Sequence, residues 1–110
     1  MTRYPKEINV NHFIELVTFK TKVGVTTDQV VSASDDVNRF LKSQPGFVSR
    51  NLGQTEDGTW HDILLWESQA HVMAAMEKAA ASSSCATFFG LIDPDSDSMA
   101  LFPSLISIGK

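Results

Sequence analysis

The sequence has few of the features that mark secreted or nucleic-acid-binding proteins. Its 110 residues include one cysteine, Cys85, so no disulfide can form within the chain, and a reducing compartment is expected. The nine Lys and Arg residues are scattered, and they are outnumbered by 13 Asp and Glu residues, which gives a formal net charge of -4. Because affinity for nucleic acids comes mainly from clustered cations that neutralise phosphates, we expect no nucleic-acid partner.

Long apolar runs are also missing. The longest apolar stretches are only a few residues, whereas a membrane-spanning helix needs about 20. Residues 1–7 lead into no apolar run of the kind that a signal peptide has. Hydrophobic residues make up 43% of the chain and charged residues 20%, which is typical of globular proteins. We therefore expect a cytoplasmic protein without a membrane partner, folded as a single domain over residues 1–110, with residues 1–10 as a loosely attached arm.

Motifs for metals and cofactors are lacking as well. His12, His61 and His71 have no compact metal-binding spacing, and the glycines form no phosphate-cradling loop. No metal and no nucleotide or flavin cofactor is expected. Cys85 follows three serines and has no nearby His or cation in the sequence to activate its thiol, which favours a structural role over a nucleophilic one.

Hydrophobic periodicity and turn signals predict the element order strand, helix, strand, strand, helix, strand. The strands are predicted at residues 12–20, 47–54, 59–67 and 99–108, with Asp57-Gly58 in the turn of a hairpin between the second and third. The helices begin after the capping residues Thr26 and Ser68, and a short extra helix is predicted at residues 85–92. Pro103 lacks an amide donor, so the last strand should lie at a sheet edge.

This order is typical of an α+β, ferredoxin-like β-α-β-β-α-β sandwich with an antiparallel sheet. Right-handed crossovers allow the first and third strands to lie centrally, with both helices on one face of the sheet.

Alternation of side chains across the strands gives the predicted sheet two apolar faces. One, here called the aliphatic face, carries Ile14, Leu16, Thr18, Ile63 and Leu65. The other, the aromatic face, carries Phe13, Glu15, Val17, Phe19, Trp60, Asp62, Leu64 and Trp66. We expect the helices to cover the aliphatic face, and an aromatic patch left exposed on a monomer is unusual. A homodimer whose two sheets enclose a cavity would cover it, and the alternative is a monomer covered by its terminal arms.

Several motifs resemble those of the antibiotic-biosynthesis-monooxygenase-like branch of the dimeric α+β barrel superfamily. They cover nearly the whole chain beyond residue 12, and they are Phe13-x-Glu15-x-Val17-x-Phe19, Gln44-Pro45-Gly46-Phe47-x-x-Arg50, Asp57-Gly58-x-Trp60-x-Asp62-x-x-x-Trp66-x-Ser68 and Leu91-Ile92-Asp93. The resemblance implies a dimeric α+β barrel. Because that superfamily contains oxygenases, isomerases, haem-handling enzymes and proteins of unknown role, the fold alone does not select an activity.

Two carboxylates, Glu15 and Asp62, are predicted to lie on the aromatic face. Burying an isolated carboxylate costs several kcal/mol, so each should be paired, be protonated, or contact water or a ligand. If the second strand turns Arg50 rather than Asn51 inward, Arg50 would neighbour Asp62 across the hairpin, and a slip of one residue decides between them. In the catalytic hypothesis, Glu15 or Asp62 is a general base and Arg50 steadies the resulting anion. The alternative is a structural ion network that fixes the sheet and the dimer.

The function that these features favour is a cofactor-independent monooxygenase, or a related proton-abstracting enzyme, acting on a small aromatic or polyketide-like molecule. Phe13, Trp60 and Trp66 are candidate substrate contacts, although large aromatic residues also pack in cores. The alternative function is a dimeric small-ligand-binding or stress-related protein without turnover.

Overall fold

The computed structural model describes residues 12–109, so the predicted arm at residues 1–10 lies outside the described residues. The predicted element order is confirmed, including the extra helix. The elements are β1 (Phe13–Phe19), α1 (Thr27–Lys42), β2 (Phe47–Gln54), β3 (Trp60–Trp66), α2 (Gln69–Ala80), α3 (Ser83–Gly90) and β4 (Ser98–Pro103). No helix in the described part of the chain is long and apolar enough to cross a membrane.

The four strands form one antiparallel sheet in the order β2-β3-β1-β4, which confirms the ferredoxin-like α+β fold. The prediction that the first and third strands are central and that the last strand lies at an edge is also confirmed. The predicted end of the last strand at residue 108 is wrong, because β4 ends at Pro103. Pro103 pairs with Phe13, the first residue of β1, and one further bond, from Ser104 N to His12 O at 3.0 Å, follows before the pairing ends.

Local capping groups fix where the helices begin. Gln29 N donates to Thr26 Oγ1 at 3.2 Å, and Thr26 N donates to Gln29 Oε1 at 2.8 Å, so the predicted capping box is present. At the start of α2, His71 N donates to Ser68 Oγ at 3.2 Å. These bonds satisfy amides that have no partner within the first helical turn, so each helix starts at a defined residue.

The helices cover the aromatic face of the sheet, so the prediction that they cover the aliphatic face is wrong. Phe19, Trp60, Leu64 and Trp66 are buried against apolar side chains of all three helices, namely Val30, Val37, Leu41, Val72, Ala75, Cys85 and Phe88. The aromatic face carries the larger rings, and covering it within one chain buries more apolar area than covering the aliphatic face would.

The aliphatic face is therefore the side of the sheet that the helices leave bare. β4 adds Ala100 and Phe102 to this face, because they pair with Leu16 and Ile14 of β1. Ile63 remains 45% exposed and Phe102 39% exposed. An apolar surface on the sheet thus remains, although it is not the aromatic one that the sequence predicted.

Candidate functional site

A cavity of about 250 Å³ lies between the aromatic face of the sheet and the helices of the same protomer. The predicted cavity between two sheets depended on the wrong face, and this one lies beneath the helices instead. Its walls are mainly apolar, and the residues that line it are Glu15, Val17, Phe19, Val37, Phe40, Asp62, Leu64, Met76, Ala79, Ala80, Cys85, Phe88, Phe89, Ile92, Asp97 and Met99. The structure therefore brings two of the predicted site residues, Glu15 and Asp62, to one cavity.

Glu15 is a buried carboxyl in the middle of β1. It is only 9% exposed, and Trp66 Nε1 donates a hydrogen bond of 3.0 Å to its Oε1 atom. Loss of water on burial raises the pKa of the Glu15 carboxyl, and the bond from Trp66 opposes this shift. The nearby Asp62 carboxylate raises the same pKa further, while Arg50 lowers it. A carboxyl with a raised pKa in a water-poor cavity is suited to accept a proton from a bound molecule.

Asp62 lies near Glu15 on the same face, since it pairs across the strands with Val17. Arg50 binds it through two parallel hydrogen bonds, from Nε to Oδ1 at 2.9 Å and from the Nη2 group to Oδ2 at 2.8 Å. The Arg50 and Asp62 side chains are 6% and 10% exposed, so the pair is largely desolvated. Fork-like geometry of this kind holds a carboxylate in one orientation.

The register of β2 turns Arg50 toward the helices. Arg50 pairs with Leu64 and Asn51 with Ile63, so Asn51 belongs to the aliphatic face. The third contact of the guanidinium is a 2.9 Å bond from Nη1 to Asn38 Oδ1 on α1. Its Cζ atom also lies 5.3 Å from the centre of the Phe88 ring. Arg50 is thus occupied by Asp62, Asn38 and Phe88, and it does not line the cavity.

The three aromatic residues proposed as substrate contacts lie in or against the core, and none lines the cavity. Trp60 stacks on Phe19 with ring centres 6.2 Å apart. Trp66 meets Phe47 edge to face at 5.5 Å. Phe13 packs against the same core. Trp66 nevertheless belongs to the site, because its indole N–H orients the Glu15 carboxyl.

Some of the residues that line the cavity were not predicted from the sequence. Asp97 and Met99, which border the cavity, come from the loop before β4 and from β4 itself. Met99 pairs with Val17, so strand alternation carried a signal for its position. The positions of Cys85 and Phe88 depend on how α3 packs, for which the sequence has no local signal. Burial raises the pKa of the Cys85 thiol, which disfavours the thiolate, as expected of a structural cysteine.

The histidines lie apart from the cavity. His61 pairs with Thr18 and Gly53, which places it on the aliphatic face, opposite the helices. His71 lies on α2 and its Nδ1 is 2.7 Å from Ser68 Oγ. Among residues 12–109, no three His, Cys, Asp or Glu side chains are grouped in a way that could hold a metal ion.

No protein-family model matches this chain, and no curated protein sequence does. Comparison by structure finds many similar folds. SnoaB, a cofactor-independent oxygenase from Streptomyces nogalater, has a TM-score of 0.73 at 16% identity, over 91% of this chain and 99% of that one. The monooxygenase from the gene ActVA-Orf6 of Streptomyces coelicolor, solved with Nanaomycin D, has a TM-score of 0.66 at 20% identity, over 92% and 94% of the two chains.

A dimeric ferredoxin-like protein of unknown function from Thermobifida fusca has a TM-score of 0.68 at 10% identity, over 94% of this chain and 100% of that one. The resemblance to antibiotic-biosynthesis-monooxygenase-like proteins is therefore confirmed at the level of the fold. The identities of 10–20% do not carry an activity from these proteins to this chain.

Proposed function

We propose that the cavity is the active site of an enzyme that abstracts a proton from a small aromatic or polyketide-like molecule, in the manner of a cofactor-independent monooxygenase. The observation that carries this proposal is Glu15, a buried carboxyl with a raised pKa on the wall of an apolar cavity. The fold shared with the oxygenase SnoaB supports it. Glu15 is the proposed general base, and its carboxyl is oriented by Trp66.

Proton removal is enough to start oxygen chemistry on an electron-rich substrate. In the keto form of an electron-rich phenol, or in an anthrone, a ring carbon that bears two hydrogens loses one proton to Glu15, and the resulting carbanion adds dioxygen to form a peroxide. Once protonated, the hydroperoxide loses water and leaves a carbonyl, so one oxygen atom enters the product and the other leaves as water. The protein needs to supply a base and a cavity poor in water, and the apolar walls fit the second requirement.

Asp62 and Arg50 have distinct roles in this proposal. Asp62 lines the cavity and faces the ligand, whereas Arg50 holds Asp62 in place and does not touch the ligand. The negative charge of Asp62 also helps to keep the pKa of Glu15 raised. Arg50 is therefore a positioning residue, and the anion-steadying role that the sequence suggested for it is replaced by this indirect one.

Replacement of Glu15 by glutamine tests the base directly. The amide oxygen of Glu15→Gln can still accept the bond from Trp66, so the fold is preserved while the basic group is lost. Since general base catalysis contributes about 10²–10⁴-fold, we expect kcat/KM for oxygen uptake with anthrones and phenols to fall by about that factor. The matched control is Glu77→Gln on the exposed surface of α2, which should retain the parent rate. If Glu15→Gln retained a catalysed parent rate, Glu15 would not be the base. If the parent itself took up oxygen no faster than the reaction without protein while still binding the ligand, a small-ligand-binding protein without turnover would be favoured.

The raised pKa of Glu15 also predicts how activity and stability depend on pH. Below this pKa the carboxyl is protonated and cannot act as a base, so kcat/KM of the parent should rise with pH and then level off. Burial raises this pKa above the ordinary value of 4.5. From about 4.5 upward the unfolded chain therefore binds fewer protons than the folded one, and the free energy of unfolding should fall until the raised pKa is passed. Urea titrations across this range measure the free energy of unfolding of the parent and of Glu15→Gln. The value for Glu15→Gln minus the value for the parent should increase with pH, because only the parent has a titrating group at residue 15.

We also propose that two copies of the chain pack through the aliphatic face. Helices leave this face bare, and Ile63 and Phe102 stay substantially exposed on it. Large exposed apolar patches are uncommon on monomers, and the same face on a second copy would cover this one. The solved ferredoxin-like protein from Thermobifida fusca, which has a similar fold, is dimeric, and this supports a dimer of the present chain.

Sedimentation velocity at micromolar concentration measures the assembly state. We expect the parent to sediment as a dimer and Ile63→Glu as a monomer, because a carboxylate buried at the centre of an apolar interface has no partner. Val31→Glu is the control, since Val31 is 54% exposed on α1, which packs on the side of the sheet opposite the aliphatic face. A parent protein that sediments as a monomer would contradict the proposed dimer, while the cavity within each protomer would be unaffected.

A further inference from the structure

The charges around the cavity are not balanced. Glu15, Asp62 and Asp97 line it, and no Lys, Arg or His does so within residues 12–109. Asp62 has its counter-ion in Arg50, which lies behind it. Within the described residues, Glu15 has only the neutral indole N–H of Trp66 as a direct hydrogen-bond partner. A ligand in the cavity therefore meets carboxylates and no accessible cation among these residues.

Asp97 lies at the mouth of the cavity, just before β4. It is exposed, as are its neighbours at the mouth, Phe89 and Met99. The negative charge of Asp97 is thus placed where ligands must enter.

We infer that the cavity selects uncharged or cationic aromatic ligands over aromatic carboxylates, and that Asp97 is a specificity-determining residue at its mouth. The inference rests on the proposed function only in taking this cavity as the ligand site. Like charges within several ångströms repel strongly where water is scarce, and each factor of ten in affinity corresponds to about 1.4 kcal/mol. A carboxylate ligand would also oppose ionisation of Glu15, which has to be ionised to act as a base.

The ligand class is limited by size as well as by charge. At about 250 Å³ the cavity is smaller than most drug-sized ligand sites, which span about 300–1,000 Å³. Phe19, Phe40 and Phe88 on its walls suit a flat ring system. A bicyclic phenol with an uncharged or basic substituent therefore fits the cavity best.

A matched pair of probes isolates the charge. The amide 6-hydroxy-2-naphthamide and the acid 6-hydroxy-2-naphthoate have nearly the same shape, and they differ by one negative charge at neutral pH. We expect calorimetric titration of the full chain to show the amide binding at least about tenfold more tightly than the acid. Asp97→Asn should lower the ratio of the Kd of the acid to the Kd of the amide by about threefold or more. Asp95→Asn, on the same exposed loop but outside the cavity lining, is the matched control and should leave the ratio unchanged.

The outcomes separate this inference from the proposed function. Equal affinity for the two probes, binding of neither, or equal shifts in the Asp97→Asn and Asp95→Asn variants would overturn the inference. If the probes bind in the expected order while Glu15→Gln retains the parent rate of oxygen uptake, the charge selectivity stands and the proposed base is wrong. If oxygen uptake depends on Glu15 but the acid binds as tightly as the amide, the proposed base stands and the charge selectivity is wrong.

Discussion

Arg50→Met is expected to lower the free energy of unfolding by about 3–5 kcal/mol, because it leaves the carboxylate of Asp62 buried without its counter-ion. The Asp62 side chain is 10% exposed and that of Arg50 is 6% exposed, so little water can replace the lost bonds. Asn38 would also lose its bond from Nη1, and Phe88 its cation contact. Urea unfolding, followed by tryptophan fluorescence at a fixed protein concentration, measures the change.

An exposed ion pair on the same chain provides the control. Arg39 and Asp36 on α1 also form a salt bridge, but their side chains are 71% and 48% exposed. Pairs of this kind contribute about 0–1 kcal/mol, so Arg39→Met should have a small effect. If Arg39→Met and Arg50→Met lowered stability equally, the Arg50–Asp62 pair would not be desolvated as the structure indicates.

The double variant Arg50→Met with Asp62→Leu distinguishes two contributions to the free energy of unfolding. One is the net contribution of the ion pair, and the other is the cost of leaving a single buried charge unpaired. Replacing both members of a buried pair with apolar side chains is often neutral or stabilising. We therefore expect the double variant to recover most of the stability lost in Arg50→Met. If it does, the pair is not needed for folding, and its retention fits a role in holding Asp62 at the cavity wall. A double variant as unstable as Arg50→Met would instead favour the structural ion network that the sequence left open.

The sequence predicted the fold well because its signals are local. Capping residues such as Thr26 and Ser68, the Asp57-Gly58 turn and the alternation in β1 and β3 each act within a few residues. Alternation also sorted Glu15 and Asp62 onto one face. These features define the elements and their order, and the short list of allowed topologies then leaves few arrangements of the sheet.

The face that the helices cover could not be decided in the same way, because both faces of the sheet are apolar. The choice depends on the total apolar area that is buried, and on whether the covering residues belong to the same chain or to a second molecule. Helices of the same chain cover the aromatic rings without the loss of translational freedom that a second molecule would incur, estimated at about 4–15 kcal/mol. Large rings such as Trp60 and Trp66 are therefore expected under the chain's own helices, and weighing this cost would have favoured the observed arrangement.

The register of β2 illustrates a second limit. A bulge between Phe47 and Ser49 shifts the alternation, so that Phe47 packs against the core while Val48 is 42% exposed. Beyond the bulge the pairing turns Arg50 inward. Nothing in the sequence around these residues marks the extra residue. The same is true of Asn38, whose bond to Arg50 depends on how α1 lies over β2.

Gly46→Ala is the second substitution with a large expected effect. Gly46 joins α1 to β2 with a φ of +79°, a conformation that costs other residues about 1–2 kcal/mol. An added Cβ would also lie 2.2 Å from Cγ and 2.6 Å from Cβ of His71, so α2 would have to move. Together these terms should lower the free energy of unfolding by about 2–4 kcal/mol. Gly53→Ala is the matched control, since no atom lies within 4 Å of its added Cβ.

Gly46→Ala should also affect the cavity, because α2 forms part of the cavity wall. His71 lies in the first turns of α2, and Met76 and Ala79 of that helix line the cavity. Displacing the start of α2 should therefore weaken binding of 6-hydroxy-2-naphthamide as well as stability. Adding His71→Ala removes the contacts with the ring at 2.2 and 2.5 Å but leaves the contact with Cβ at 2.6 Å and the backbone strain at residue 46, so it should restore part of both. If Gly46→Ala matched Gly53→Ala in stability and in ligand affinity, the close approach of Gly46 to α2 would not set the width of the cavity.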